Sequence, residues 1–193
     1  MKIYLIRHGE SESDVKECYD GEYDDHLTKK GIQDAHGVAE RLLKSGVRII
    51  FSSPKIRAME TAEILKRALK CEVVVKDDLK EQNIYGAYPE LSREYPEEEY
   101  RRLGELLAKR DVSIDGVESY EGFRKRVVDC FSEIVETDYD AIALVTHGGP
   151  IRCILREAGV GEYKKIGNGA IIELEKIGDR FVVGDKRRMH HID

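Results

Sequence analysis

The sequence predicts an α/β fold: a three-layer sandwich with a mostly parallel central sheet, helices on both faces and an antiparallel hairpin near the C-terminal end. Three observations carry this. Apolar, β-branched runs at Ile3–Ile6, Val47–Phe51, Val73–Val75 and Ala141–Thr146 are too short for helices and have the composition of buried strands. Segments with helical apolar spacing separate them, the alternation that sets parallel strands side by side. Finally, Gly178-Asp179 lies between two further runs, Asn168–Lys176 and Arg180–Val183, as a tight hairpin turn would.

In chain order, Ile3–Ile6 delivers Arg7, His8 and Gly9 to the carboxyl end of a strand, where open α/β sheets place their ligands; Gly9 is read as the residue that lets the backbone turn. Glu10 to Asp25 is polar and aperiodic, a site-lining loop with room for one helical turn. Thr28 suits the N-cap of a helix with Ile32, Ala35, Ala39, Leu42 and Leu43 on its apolar face, ended by Gly46. After the strand at Val47–Phe51, Ser53 is read as an N-cap and Pro54 as the first helical residue, with Arg57 in the first turn and Met59, Ala62, Leu65 and Leu69 beyond. Val73–Val75 reads as a buried strand. The pattern then loosens from Asp77 to Gly116: Leu79 to Gly86 reads as loop and Pro96 to Lys109 as a charged helix. Ser119 opens a helix with Phe123, Val127, Phe131, Ile134 and Val135 inward, and His147-Gly148-Gly149-Pro150 joins the Ala141–Thr146 strand to a helix ending at Gly159. The tail, Lys186 to Asp193, is expected at the surface.

At 193 residues the chain has the length of one domain, spanning 1–193, with 77–116 as an irregular excursion facing the substrate. A net charge of −6, with its basic residues interspersed apart from Lys186-Arg187-Arg188, argues against nucleic acid. No apolar run reaches membrane-spanning length and Arg7 interrupts the first one too early for a signal peptide, so the expected location is the cytoplasm. Cys18, Cys71, Cys130 and Cys153 are far apart and read as buried thiols, not as a metal site or disulfide framework. Only Gln33, Gln82, Asn83 and Asn168 supply thermolabile amides, a bias found in proteins of hot environments. His26, His36 and the His190-His191 pair have no spacing that demands chemistry.

Three junctions share one form, a strand followed by His or Arg near a helix start: Arg7-His8-Gly9, Ser53-Pro54 with Arg57, and Thr146-His147-Gly148-Gly149. Parallel strands would bring them to one sheet edge. Two arginines offering planar forks and a helix opening after Gly149 favour an anion, phosphate above all. A histidine between cations is disfavoured from protonating and so stays nucleophilic near neutral pH.

With those residues in view, the chain resembles the histidine phosphatase superfamily, in its phosphoglycerate mutase-like branch. Arg7-His8-Gly9-Glu10-Ser11 is similar to its defining motif, and Ser52-Ser53-Pro54-Lys55-Ile56-Arg57-Ala58-Met59-Glu60-Thr61-Ala62 to its second block. Gly116-Val117-Glu118-Ser119 with Arg126-Val127, Val145-Thr146-His147-Gly148-Gly149, and Asn168 also fit, in order, across nearly the whole chain. The resemblance implies a metal-independent phosphomonoesterase of histidine acid phosphatase type, needing no cofactor and acting on a small phosphorylated metabolite. It makes His8 the phosphohistidine nucleophile, Arg7 and Arg57 the phosphate clamps, His147 a donor to the phosphoryl oxygens, and Glu81 the acid that protonates the leaving oxygen, with Glu118 in reserve. A cofactor-dependent phosphoglycerate mutase is the alternative; the chain is short for one. A non-catalytic phosphate-binding or regulatory module is the third reading. Oligomeric state is not legible.

The chain departs from the family pattern twice. Five steps separate Glu81 from Gly86 where many relatives have four, and Asp14 stands where a phosphate-binding asparagine is expected. An ionised Asp14 about 5 Å from the anion would oppose it by roughly 3 kcal/mol at an effective dielectric of about 20. Either Asp14 is protonated, or it pairs with a cation such as Lys16 or Arg57, or the loop holds it away; if it shares the pocket with His8, phosphate affinity is expected to depend on pH.

Overall fold

The computed structural model describes residues 1–16, 24–83 and 116–184. Its first strand is β1, Lys2–Arg7, after which come α1 (Glu12–Lys16), α2 (Lys29–Leu42), β2 (Ile49–Ser52), α3 (Ile56–Leu69) and β3 (Glu72–Val75). A single 3-10 turn at Asp77–Leu79 leads off β3; then follow α4 (Tyr120–Val135), β4 (Ala141–Thr146), α5 (Gly148–Glu157), β5 (Ile171–Ile177) and β6 (Arg180–Val183).

The six strands form one sheet in the order β3-β2-β4-β1-β5-β6. β3, β2, β4 and β1 run parallel, whereas β5 lies antiparallel on β1 and β6 folds back on β5 through Gly178 at φ +59°. Alternation along β1 splits the core in two. Ile3 and Leu5 pack with Phe123, Val127 and Ile134 of α4 and Ile151 and Leu155 of α5. Tyr4 and Ile6 pack on the other face with Val38 and Leu42 of α2 and Ala58, Ala62 and Leu65 of α3. The expected three layers and terminal hairpin are present, and α1 supplies the helical turn after Glu10.

Local expectations are corrected in four places. The buried stripe of α2 is Gly31, Ala35, Val38, Ala39 and Leu42, while Ile32 and Leu43 face outward. Its cap is as expected: the Thr28 hydroxyl accepts from Gly31 N at 3.0 Å. β3 is an edge strand with Val74 and Val75 exposed, because among the described residues no strand pairs on its far side. α3 begins at Ile56, so Ser53 is not its N-cap and Pro54 lies outside it; Asp24, reaching over from the preceding loop, accepts from Ile56 N at 2.6 Å instead. Cys130 and Cys153 are buried but Cys71 is only half-buried, and its thiol is pushed up by that partial burial. Cys18, Tyr85, Tyr88, the Pro96–Lys109 helix, the Glu97–Glu99 run and the Lys186–Asp193 tail lie outside the described residues, as does most of the 77–116 excursion. Among the described residues no helix is long and apolar enough to cross a membrane.

Candidate active site

The register of β1 against β4 sets Arg7 opposite Thr146, so the residues that follow, His8 and His147, leave adjacent strands at the same edge. Their rings lie 5.1 Å apart at 63°. The backbone locks this arrangement: His8 N donates to Thr146 O at 3.1 Å and Gly169 N donates to His8 O at 3.0 Å. Gly9 is needed for a reason other than the turn. A Cβ there would come within 2.2 Å of Gly31 O, and one on Gly31 within 1.9 Å of Glu10 O, so the first turn of α2 is pressed against the loop that carries His8. Neither glycine has a positive φ.

His8 is buried, and its two nitrogens have different partners. Nδ1 lies 2.7 Å from Gly9 O, which can only accept, while Arg57 Nε, which can only donate, lies 3.2 Å from Nε2. The tautomer is thereby set: the proton sits on Nδ1 and the lone pair on Nε2. Burial, then the charges of Arg7 and Arg57, push the His8 pKa down to about 3. Burial pushes His147 well down too, followed by His8, Arg57 and Arg7.

Each arginine meets an aspartate. Arg57 Nη1 donates to Asp25 Oδ1 at 2.9 Å, and Asp25, whose side chain is 1% exposed, also accepts from Ser13 N. Burial raises the Asp25 carboxyl, but the bonds from Ser13 and the charge of Arg57 outweigh it and leave it below its ordinary value. Arg7 donates from Nη1 to Ile166 O at 2.6 Å and from Nη2 to Asp14 Oδ1 at 2.6 Å. Asp14 Oδ2 accepts from Ser11 N and Ser11 Oγ at 2.9 Å and from Asn168 Nδ2 at 2.8 Å. The expectation for Asp14 is thus corrected in its partner: Arg7 holds it, while Arg57 is taken by Asp25, and the Lys16 side chain lies outside the described residues. Burial pushes its carboxyl up, and Arg7 and the Ser11 bonds pull it below the usual range, so Asp14 is an anion throughout the neutral range and the protonated alternative falls.

His147 Nε2 lies 2.8 Å from Ser53 Oγ, which also accepts from Lys55 N at 3.4 Å. Among the described residues, His147 Nδ1 and Arg7 Nε are buried without a hydrogen-bond partner. Arg7 Nε is a donor only, and a buried donor left without an acceptor marks a place for a ligand that accepts. The Glu81 carboxylate reaches the start of α5, where Oε2 accepts from Gly149 N at 3.0 Å. A Cβ at Gly149 would lie 1.9 Å from Glu81 Oε1, so only glycine permits the approach. Glu118, the reserve acid, is committed elsewhere: it forms a two-pronged ion pair with Arg126 at 2.6 and 2.8 Å.

The structure therefore gathers Arg7, His8, Arg57, His147 and Asp14 at one sheet edge and sets Glu81 against the helix that His147 opens. Sequence reasoning missed Asp25 and the true partner of Ser53. The available signal for Asp25 was an acidic pair, Asp24-Asp25, in a segment expected to line the site.

The two depressed histidines set a pH dependence of stability. In each case the folded pKa lies below the unfolded value of about 6.5, so below that pH the unfolded chain takes up protons that the native site refuses. Their contribution is complete above pH 6.5 and is lost as pH falls toward the folded value, about 3 for His8. Urea denaturation at pH 7 and pH 5 should show a loss of about 2 kcal/mol per histidine. His8→Asn should remove roughly half of it; an equal loss in the variant would show that His8 does not contribute.

These features, two buried histidines and two aspartate-held arginines at the carboxyl edge of an α/β sheet, define the class. The family model of the histidine phosphatase superfamily (branch 1) matches residues 3–185, and the chain belongs to that superfamily. A relative from Hydrogenobacter thermophilus, named "Putative phosphoserine phosphatase 2", is 30% identical over 93% of this chain and 91% of its own length. One from Proteus mirabilis, named "Probable phosphoglycerate mutase GpmB", is 30% identical over 80% of this chain and 73% of its own length. The solved structure of Bacillus stearothermophilus YhfR superposes with a TM-score of 0.80 at 22% identity, covering 100% of this chain and 99% of that one. That of a mycobacterial glucosyl-3-phosphoglycerate phosphatase with VO3 gives 0.80 at 24%, covering 95% and 96%. At these identities the two structures show the fold. Phosphatase or mutase-like activity is what the superfamily and these relatives support.

Proposed function

We propose that the protein is a phosphomonoesterase of histidine acid phosphatase type that works through a phosphohistidine on His8. The observation that carries this is the His8 tautomer: a neutral imidazole whose Nε2 lone pair faces the Arg57 guanidinium that would hold the phosphate. In the first step a bond forms from His8 Nε2 to phosphorus as the ester P–O bond breaks, and its electron pair leaves on the alcohol oxygen. Glu81 protonates that oxygen. Arg7, Arg57 and the His147 ring stabilise charge on the phosphoryl oxygens. In the second step Glu81 takes a proton from water, the new P–O bond forms, the N–P bond breaks and inorganic phosphate departs.

A cavity of about 490 Å³ adjoins this centre at Glu81, walled also by Lys55, Asp77, Lys80, Glu118 and Arg126. Its size is that of a small-molecule site, and its mixed charge suits the polar alcohol of a phosphorylated metabolite. Release of nitrophenol from p-nitrophenyl phosphate by wild type and not by His8→Ala tests the reading. No His8-dependent release from any monoester would leave a phosphate-binding module. The alternative, a phosphoglycerate mutase, draws on the 30% identity to a relative bearing that name. Turnover of 3-phosphoglycerate that requires 2,3-bisphosphoglycerate would establish it over the phosphatase.

Asp14 bears on phosphate affinity. It holds Arg7 but keeps a negative charge beside the anion, screened because its side chain is 21% exposed. Asp14→Asn is expected to tighten inorganic phosphate, read as a product-inhibition constant, about tenfold. The amide cannot accept from Arg7, Ser11 and Asn168 together, so about 1–3 kcal/mol of stability is lost. Unchanged inhibition by phosphate would show that Asp14 does not face it.

A further inference from the structure

The cavity beside Glu81 contains an arginine that has nothing left to give a substrate. Arg126 has five N–H donors. Nε donates to Glu118 Oε1 at 2.6 Å, and Nη2 to Glu118 Oε2 at 2.8 Å and Glu81 O at 3.1 Å. Nη1 donates to Asp78 O at 2.7 Å and Lys80 O at 2.9 Å. Three of the five bonds grip carbonyls of the segment that carries Glu81, including the carbonyl of Glu81 itself, and the other two fix Glu118.

Glu118 then grips the same segment from its other end. Its Oε2 accepts from Asn83 N at 3.2 Å, its backbone N donates to Asn83 O at 2.8 Å, and its carbonyl accepts from Gln82 Nε2 at 3.0 Å. Arg126 is anchored on α4, where its guanidinium lies 5.1 Å from the Phe123 ring centre and Phe123 is in the core. Residues 78–83 thus have no regular secondary structure beyond the 3-10 turn, yet the Arg126 guanidinium ties three of their carbonyls to a core helix, and Thr146 Oγ1 of β4 donates to a fourth, Leu79 O, at 2.5 Å.

We infer that Arg126, through its pair with Glu118, is the positioning residue for the leaving-group acid Glu81. The inference rests on the proposed function and deepens it. A general acid must meet the leaving oxygen within hydrogen-bond reach, and misplacement by about 1 Å can cost on the order of a hundredfold. Lysine cannot replace this arginine, because an ammonium has three donors and no planar fork.

The test compares two kinds of ester. An alkyl phosphate needs its leaving oxygen protonated; p-nitrophenyl phosphate, with a stable leaving anion, needs this far less. Glu81→Gln should slow the alkyl ester by about 10²–10⁴-fold and the aryl ester by much less. Arg126→Lys should show the same selectivity at about 10–100-fold on the alkyl ester, and adding Arg126→Lys to Glu81→Gln should produce little further loss. Glu118→Gln, which keeps the side chain's shape, should give a weaker form of the same pattern and serves if Arg126→Lys does not fold. Equal slowing of both esters by Arg126→Lys or Glu118→Gln, with Glu81→Gln selective, overturns the inference alone. Equal slowing by Glu81→Gln itself removes Glu81 as the acid, and the inference with it.

Discussion

Alanine in place of His8 is expected to lower kcat/KM toward every phosphomonoester by on the order of 10⁶-fold, the scale seen when a hydrolase loses its nucleophile. The fold should survive. His8 is neutral in the native state, so its own removal strands no partner of an ion pair; the Gly9 carbonyl loses one donor and Arg57 Nε loses one acceptor. That leaves a cost of about 1–3 kcal/mol. Wild-type enzyme quenched in alkaline denaturant, after brief exposure to a radiolabelled substrate, should carry label that alkali leaves in place and acid removes, as a phosphoramidate would. The variant should carry none. Equal label in the variant would move the nucleophile elsewhere, with His147 the first residue to examine.

The second large effect is expected at Arg57 and concerns stability as much as rate. Asp25 is almost wholly buried against the guanidinium, and removing one partner of a buried pair strands the other. Arg57→Ala should therefore lose about 3–5 kcal/mol. Rate should fall about 10³-fold or more, the scale on which an arginine supports phosphoryl transfer. Adding Asp25→Asn should recover part of the stability, because the stranded charge is gone, but none of the rate. Urea titrations of the two single variants and the double variant measure the coupling. A double variant less stable than Arg57→Ala would show that Asp25 does not owe its ionised state to Arg57.

The parts legible in the sequence are those that local chemistry decides. Ile3–Ile6 alternates between two cores, Thr28 caps its own helix, and Arg7-His8-Gly9 and Thr146-His147-Gly148 emerge where strands end; each follows from neighbours a few residues away. Other features follow from contacts the chain makes at long range. Val73–Val75 has the composition of an interior strand, but its exposure depends on which strand lies beyond it. Ser53 looked like a helix cap because Pro54 follows it, yet Asp24 takes that role and the hydroxyl meets His147, 94 residues away. Asp14 was recognisable as a departure from the family pattern. Its partner was not, because Arg7 reaches it only once α1 has folded back beside the end of β1.

The position of β4 has a consequence for how the molecule comes into being. Residues 141–146 fill the slot between β1 and β2, hydrogen-bonding to both, although those two strands end 134 and 89 residues earlier along the chain. Until that slot is filled, a nascent chain holds two apolar strands with unpaired edges facing each other, a liability for association with other chains. Loop closure over so long a span makes the insertion slow compared with the local helices. The same event that closes the sheet brings His147 beside His8. The centre of the sheet and the meeting of the two histidines therefore form in one step, before β5 adds its part of the core.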